Sequence, residues 1–304
     1  MSSRDLDRAG ITDPAMRASY ERCRELNAQH GKTSYLATRL LPPAKRPYVH
    51  ALYGFARYAD EIVDDLDSTL TPQEKRDWLG WWGEQFLVDL DKGESSDPIG
   101  RAVVDTVQRW EIPAEHFEAF LHSMRMDLTV TEYPSYDDLY TYVYGSAAVI
   151  GLQMVPILEP LDDGAYEPAK DLGVAFQLAN FIRDVSEDLD RGRVYLPIED
   201  LERFGLTRQH LETRQVTPAV RDLLAFEVAR VRRLSHQADV GIPLLHPTSR
   251  PCIEAAQELY VGIVDEVEAI DYQVFDERAT TSPWRRARVA GAAYGRALRA
   301  RWSS

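Results

Sequence analysis

Two groups of carboxylates, each spaced for a helix, are where this chain could carry chemistry. The first is Ala59-Asp60-Glu61-Ile62-Val63-Asp64-Asp65. On a helix, Asp60 and Asp64 lie one turn apart and project from the same face. Like charges at that spacing cost an isolated helix roughly 0.2–0.5 kcal/mol, so they need a compensating partner or full solvation. Tyr53 and Arg57 continue that face, beside an apolar stripe of Leu52, Ala56, Ala59 and Val63. Taken alone, this group reads as a solvated acidic run. The second group changes that reading. Gln177, Asn180, Asp184, Glu187 and Asp188 form one stripe at spacings of three or four. Leu172, Val174, Ala175, Phe176, Leu178, Ala179, Phe181, Ile182 and Val185 make the rest of that helix apolar, and a helix apolar nearly all round is buried. A buried stripe of amides and carboxylates must be paired, hydrated or bound to a cation. Oxygen donors on two long helices favour a hard cation such as Mg²⁺, which commonly bridges carboxylates and substrate phosphates. Metal-bridged diphosphate binding is the leading chemistry.

Such stripes act only if helices hold them, and helix-start signals recur along the chain. Asp13-Pro14, Thr71-Pro72, Asp97-Pro98, Thr217-Pro218 and Ser282-Pro283 each place a capping oxygen before a proline. The oxygen accepts an orphan N–H, and proline at the first helical position lacks a donor that would go unused. Thr71 with Glu74, and more loosely Ser135 with Asp138, form capping boxes. Gly31, Gly93, Gly192 and Gly241 read as stops, where glycine can turn left-handed. The pattern predicts long helices over 14–30, 43–66, 72–92, 98–110, 113–129, 136–158, 166–191, 218–240, 250–270 and 283–301. Shorter ones are expected over 34–40, 197–204 and 208–213. No stretch alternates with period two, so no sheet is expected. The chain reads as one all-α domain over 14–301, preceded by a polar segment over 1–13.

Composition narrows the partners. A chain of 304 residues with 44% hydrophobic and 28% charged residues has ample core material and is not disordered. Lys and Arg number 35 against 49 Asp and Glu, a net charge of −14, which argues against a nucleic-acid partner. Two cysteines, Cys23 and Cys252, exclude a disulfide scaffold or Cys-based zinc site and fit a reducing cytoplasm. The first ten residues are too polar for a secretory signal. The longest strongly apolar stretch, 147–158, is interrupted by Gln153 and too short to span a bilayer. A cytoplasmic location is expected.

Longer strings around the two groups resemble a known family. Tyr53-Gly54-Phe55-Ala56-Arg57-Tyr58-Ala59-Asp60-Glu61-Ile62-Val63-Asp64-Asp65 and Gln177-Leu178-Ala179-Asn180-Phe181-Ile182-Arg183-Asp184-Val185-Ser186-Glu187-Asp188 strongly resemble the squalene/phytoene synthases. His30-Gly31-Lys32-Thr33-Ser34-Tyr35, Tyr142-Val143-Tyr144-Gly145, Arg191-Gly192-Arg193-Val194-Tyr195-Leu196-Pro197 and Leu259-Tyr260 extend the resemblance, in the family's order, from about residue 20 to 290. Within the family the pattern is most similar to its bacterial phytoene-forming branch. Two departures are visible. The first motif reads Asp-Glu where many relatives have Asp-Asp, which keeps a carboxylate at Glu61. Thr33-Ser34 replaces a more usual Ser-Phe pair, which removes an aromatic contact there.

The resemblance implies a single-domain isoprenoid-synthase helical bundle with two aspartate motifs facing a central cavity. It implies Mg²⁺-dependent head-to-head condensation of two geranylgeranyl diphosphates, with Mn²⁺ as a substitute ion and no NADPH. Asp60, Asp64, Asn180, Asp184 and Asp188 would be the metal ligands. His30, Arg57, Gln177, Asn180, Arg183, Arg191, Arg193 and Arg278 would bind diphosphate, and Tyr142 and Tyr260 would join the motif aspartates as catalytic residues. Carbocations need a water-poor cavity. Its wall is expected from 147–158, Phe176, Leu178 and Leu128, with small floor residues among Ala147, Ala148 and Gly151. A squalene-forming enzyme using farnesyl diphosphate and NADPH is the alternative; a non-enzymatic relative is disfavoured by the four motif aspartates. Trp78, Trp81 and Trp82 are read as core packing, and a hydrocarbon product suits peripheral membrane association. Replacing Asp60 or Asp184 by Asn is expected to stop activity while relieving like-charge repulsion, leaving stability level or higher.

Overall fold

A computed structural model describes residues 3–64 and 69–302, with the backbone alone for Ser3, Val63 and Asp64. Helix starts follow the proline signals. Pro14–His30, Pro72–Lys92, Pro98–Trp110, Pro218–Ala238 and Pro283–Trp302 each open at the proline. Asp13 Oδ2 accepts Met16 N–H at 2.7 Å and Asp97 Oδ1 accepts Gly100 N–H at 2.6 Å. Thr71 with Glu74, and Ser135 with Asp138, close reciprocal capping boxes. Among the stops, Gly93 has φ 77° and ends its helix left-handed as expected. Gly241 does not. It sits inside the Asp239–Leu244 3-10 turn, where a Cβ would stand 2.4 Å from Pro168 Cβ, so close approach requires the glycine.

Among the described residues there is no strand, and β-bridges are isolated at Glu132/Val194 and Pro160/Leu245. Two predicted helices are interrupted. Tyr136–Val143 passes through a π turn at Tyr144–Ala148 before Val149–Leu158. Close crossings mark this stretch: a Cβ on Gly145 would lie 2.1 Å from Ala119 O, and one on Gly151 2.2 Å from Ala169 O. The predicted 166–191 helix instead ends as Tyr166–Arg183, turns at Asp184 (φ −99°, ψ 12°) and resumes as Val185–Asp190. The 1–13 segment also departs from its polar reading. Ser3–Arg8 is a short helix with Leu6 fully buried, anchored by Arg46 Nη1 to Asp5 Oδ1 at 3.2 Å.

Two apolar clusters fill the bundle. Phe55, on the Arg46–Asp64 helix, centres the first, with its ring 4.4–5.5 Å from those of Trp82, Phe86, Phe117 and Phe120. The second joins the π-turn segment to Tyr166–Arg183, Pro218–Ala238 and Arg250–Ala269. Trp82 is core as expected, but Trp78 and Trp81 are 43% and 55% exposed. Tyr136–Leu158 as a whole is long and apolar enough to cross a membrane, beyond the 147–158 limit read from sequence, yet most of it is buried in the bundle.

Candidate active site

The Arg46–Asp64 helix carries Tyr53, Arg57, Asp60 and Glu61 to one end of the bundle, and Tyr166–Arg183 brings Gln177, Asn180, Phe181 and Arg183 opposite. They line a polar cavity of about 950 Å³. Asp184 joins from the break, Glu187 and Asp188 from Val185–Asp190, and Arg191 and Arg193 from the loop after it; His30, Tyr142, Tyr260 and Arg278 complete the residues expected from sequence. Only the Asp64 side chain is missing from that set, because it lies outside the described residues. The interrupted helix matters here. The turn at Asp184 redirects the chain so that Asp184, Glu187 and Asp188 face the same space as Asn180.

Each described acidic group already has cations beside it. Arg57 Nη1 donates to Asp60 Oδ2 at 2.6 Å, and Arg57 Nε lies 3.3 Å from Glu61 Oε1. His30 Nε2 is 3.5 Å from the same Glu61 oxygen. Arg183 forks onto both oxygens of Asp184, while Arg278 Nε reaches Asp184 Oδ1 and Glu187 Oε1, each at 2.9 Å. Burial pushes the Asp184 carboxyl up, but Arg183 and Arg278 outweigh it and hold it below its usual range. Arg191 Nη1 stands 3.8 Å from Asp188 Oδ1. The first motif is partly solvated, with the Asp60 side chain 44% exposed, whereas that of Asp184 is 16% exposed.

Among the described residues no three of His, Cys, Asp or Glu converge tightly enough to enclose an ion alone. Mg²⁺ keeps several waters and takes one or two carboxylates together with substrate phosphates, and Asp60 on one side with Asp184 and Asp188 on the other are donors of that kind. Asn180 Oδ1 strengthens the fit: it is buried in this cavity with no hydrogen-bond donor, an amide oxygen of the kind a hard cation takes.

Sequence reasoning missed Asp127. It follows the Glu115–Met126 helix, with no periodic neighbour to mark it. Its carboxylate accepts the hydroxyls of Tyr142 and Tyr195, both at 2.7 Å, and its backbone carbonyl accepts Arg193 Nη2–H at 3.0 Å. Burial first, then the Asp127 charge, push both phenols up, so they stay protonated. Tyr195 stacks flat on Phe181, with centroids 4.2 Å apart and planes 4° from parallel. Thr280 and Arg286 also line the cavity unpredicted.

An apolar channel of about 340 Å³ opens from the polar cavity and shares Tyr53, Gln177, Asn180 and Tyr260 with it. Tyr260 stacks on Phe176 at that junction, 4.6 Å between centroids. Ala147, Ile150, Gly151, Met154 and Leu158 line the channel, as the 147–158 reading expected. Ala148, Leu178 and Leu128 do not. Ala148 and Leu178 are buried within the second cluster, and Leu128 packs against the first.

Residues 27–285 carry the sequence pattern described as Squalene/phytoene synthase. A phytoene synthase of Arthrospira platensis is 37% identical across 90% of this chain and 92% of its own length. A 15-cis-phytoene synthase of a Synechocystis strain is 37% identical across 86% of this chain and 80% of its own. A dehydrosqualene synthase solved with a ligand superposes with a TM-score of 0.84 at 26% identity, covering 92% of this chain and 96% of that one. Two aspartate-bearing helices facing one cavity in an all-α bundle, on a sequence matched nearly end to end, place the chain in the squalene/phytoene synthase family.

Proposed function

We propose that this chain condenses two geranylgeranyl diphosphates head to head, through a cyclopropylcarbinyl diphosphate, into phytoene, with Mg²⁺ or in its stead Mn²⁺, and without NADPH. The observation that carries the reading is the length of the apolar channel. Its lining runs along Tyr166–Arg183 from Asn180, shared with the polar cavity, to Pro168, and continues beyond that helix to Ala165 and Leu158. The twelve helical rises from Pro168 to Asn180 span about 18 Å at 1.5 Å each, so the channel is at least that deep. An extended chain advances roughly 1.1–1.2 Å per backbone bond, so the fifteen bonds of a geranylgeranyl main chain cover about 18 Å and the eleven of farnesyl about 13 Å. The channel is deep enough to take the whole longer chain, whereas the shorter one leaves its inner end empty. The Arthrospira and Synechocystis relatives, both phytoene synthases, support the same substrate class.

Asp60, Asp184, Asp188 and the Asn180 amide oxygen would hold the divalent ion, with Asp64 on the same helix as Asp60. When bound, the ion supplies Lewis-acid assistance to the departing diphosphate. Arg57, Arg183, Arg191, Arg193 and Arg278 present planar guanidinium donors suited to phosphate oxygens. Arg183 and Arg278 are already oriented by Asp184, so an arriving diphosphate meets donors in place. Gln177 and Asn180 stand where headgroup cavity and channel meet and fix the reacting carbon between them. Tyr142 and Tyr195 have their hydroxyl protons committed to Asp127, so the cavity-lining rings are what they offer a developing cation. The channel wall keeps water from that cation.

Blocking the channel tests this reading. Gly173 approaches Ala147 and Gly151 approaches Ala169, a register that sets Ile150 level with residue 170. That is about 15 Å below Asn180. Ile150→Trp is expected to lower kcat/KM for geranylgeranyl diphosphate at least tenfold and to spare farnesyl diphosphate, which ends above the block. Equal losses for both substrates would contradict the assignment of the channel.

A further inference from the structure

The Pro283–Trp302 helix packs Val289, Ala293 and Ala297 inward, beside the Arg250–Ala269 helix. Its opposite face is uncovered. Trp284 and Trp302 are 81% and 86% exposed. They are eighteen residues apart, five full turns at 3.6 residues per turn, so both indoles leave the helix in one direction, about 27 Å apart. Gly291, Gly295 and Leu298 lie between them, with Arg288 and Arg299 on one flank and Tyr294 on the other. The helix holds six arginines and no Asp or Glu, in a chain of net charge −14. The arginines nearer the bundle are paired: Arg285 with Asp265 at 2.7 Å and Arg296 with Glu254 at 2.8 Å. Arg288 is paired more loosely, 3.8 Å from Glu258, and its side chain is 68% exposed. On the inner side Arg286 lines the polar cavity, so the helix also forms part of that cavity's wall.

Indoles at both ends of an open face, small residues between them and cations on its flank match the interfacial zone of a bilayer. Arginines at the edge suit anionic headgroups, while the acidic remainder of the surface is repelled, which orients the protein with this face towards the lipid. Two copies meeting through this face would crowd Arg288 and Arg299 against like charges. The exposed Trp78 and Trp81 make no equal case, because Asp77 and Glu84 accompany them. We propose that the Pro283–Trp302 helix is the surface on which the protein docks to an anionic lipid bilayer, setting the polar cavity beside the membrane. This goes beyond the condensation reaction and does not depend on it.

Co-sedimentation of the full chain with vesicles tests the proposal. The protein should pellet with vesicles of phosphatidylcholine mixed with phosphatidylglycerol, less so as salt is raised, and stay in solution with phosphatidylcholine alone. Trp284→Ser combined with Trp302→Ser should cut the bound share about tenfold without moving the thermal midpoint, since both side chains are exposed. Arg288→Glu with Arg299→Glu should do the same. No pelleting of the unaltered protein, or pelleting that neither double variant reduces, overturns the proposal. A dimer in sedimentation velocity that the tryptophan variant dissolves would also overturn it, by assigning the face to a second copy.

Discussion

Asp184 is held by two guanidinium groups before any ligand arrives, which reverses one expectation drawn from the carboxylate spacing. The repulsion inferred from neighbouring acids is absent there, because Arg183 and Arg278 occupy the space between them. Asp184→Asn should therefore lower stability, on the order of 1 kcal/mol for weakened charge-assisted hydrogen bonds, as well as stop turnover. The sign with pH follows from a folded pKa below the usual value. The stabilisation is complete above the unfolded carboxyl pKa, near 4, and is lost as pH falls through the folded value. Thermal midpoints of the two proteins should differ at pH 7 and converge towards pH 3. A variant as stable as the parent at pH 7 would show that the pair contributes nothing. Residue types and spacing marked Asp60, Gln177, Asn180, Asp184 and Asp188, and the family resemblance added His30, Arg57, Tyr142, Arg183, Arg191, Arg193, Tyr260 and Arg278; all thirteen line one cavity. Asp127 was not legible, since a single aspartate after a helix carries no pattern until two distant tyrosines are seen to donate to it.

At the scale of elements, starts were easier to read than continuity. A proline behind a capping oxygen is a local signal, so those helices open where the sequence says. Breaks within a helix depend on what packs against it, which no local pattern records. The π turn at Tyr144–Ala148 accompanies the close approach of Gly145 to Ala119. Gly145→Ala should cost about 1–3 kcal/mol through overpacking, read as a fall in thermal midpoint, and an unchanged midpoint would show that the crossing has slack. A second element-level prediction concerns the buried ion cluster joining Ile198–Arg203 to Pro218–Ala238. Arg230 Nη1 donates to Asp200 at 2.9 Å and to Glu227 at 2.6 and 2.8 Å. Burial, with Asp200 beside it, pushes the Glu227 carboxyl up to about 7 despite Arg230. A raised folded pKa means that this group's contribution falls as pH rises from about 4 to 7. His50, kept neutral by burial with a pKa of about 3, acts oppositely below about pH 6.5. The two offset each other over the shared range. Glu227→Gln should therefore steepen the loss of thermal midpoint between pH 6.5 and 4.5, and parallel profiles would remove Glu227 from the account.

For the whole molecule, the bundle does two things that no single helix does alone. It seats a partly solvated aspartate motif against a buried one across a polar cavity, and it runs an apolar channel from that cavity into the core. Fold class was legible because periodicity and caps suffice to define helices. The direction of the channel was not, since Ala147 lines it while its neighbour Ala148 is core. A polar site joined to an apolar channel at least about 18 Å deep makes a specific demand on substrate. The most direct measurement is product identification after incubation with geranylgeranyl diphosphate or farnesyl diphosphate, with Mg²⁺ or EDTA, and with or without NADPH. The account predicts phytoene from geranylgeranyl diphosphate, in a yield that NADPH leaves unchanged and EDTA abolishes. Squalene formed from farnesyl diphosphate, with NADPH required and geranylgeranyl diphosphate left unused, would contradict it.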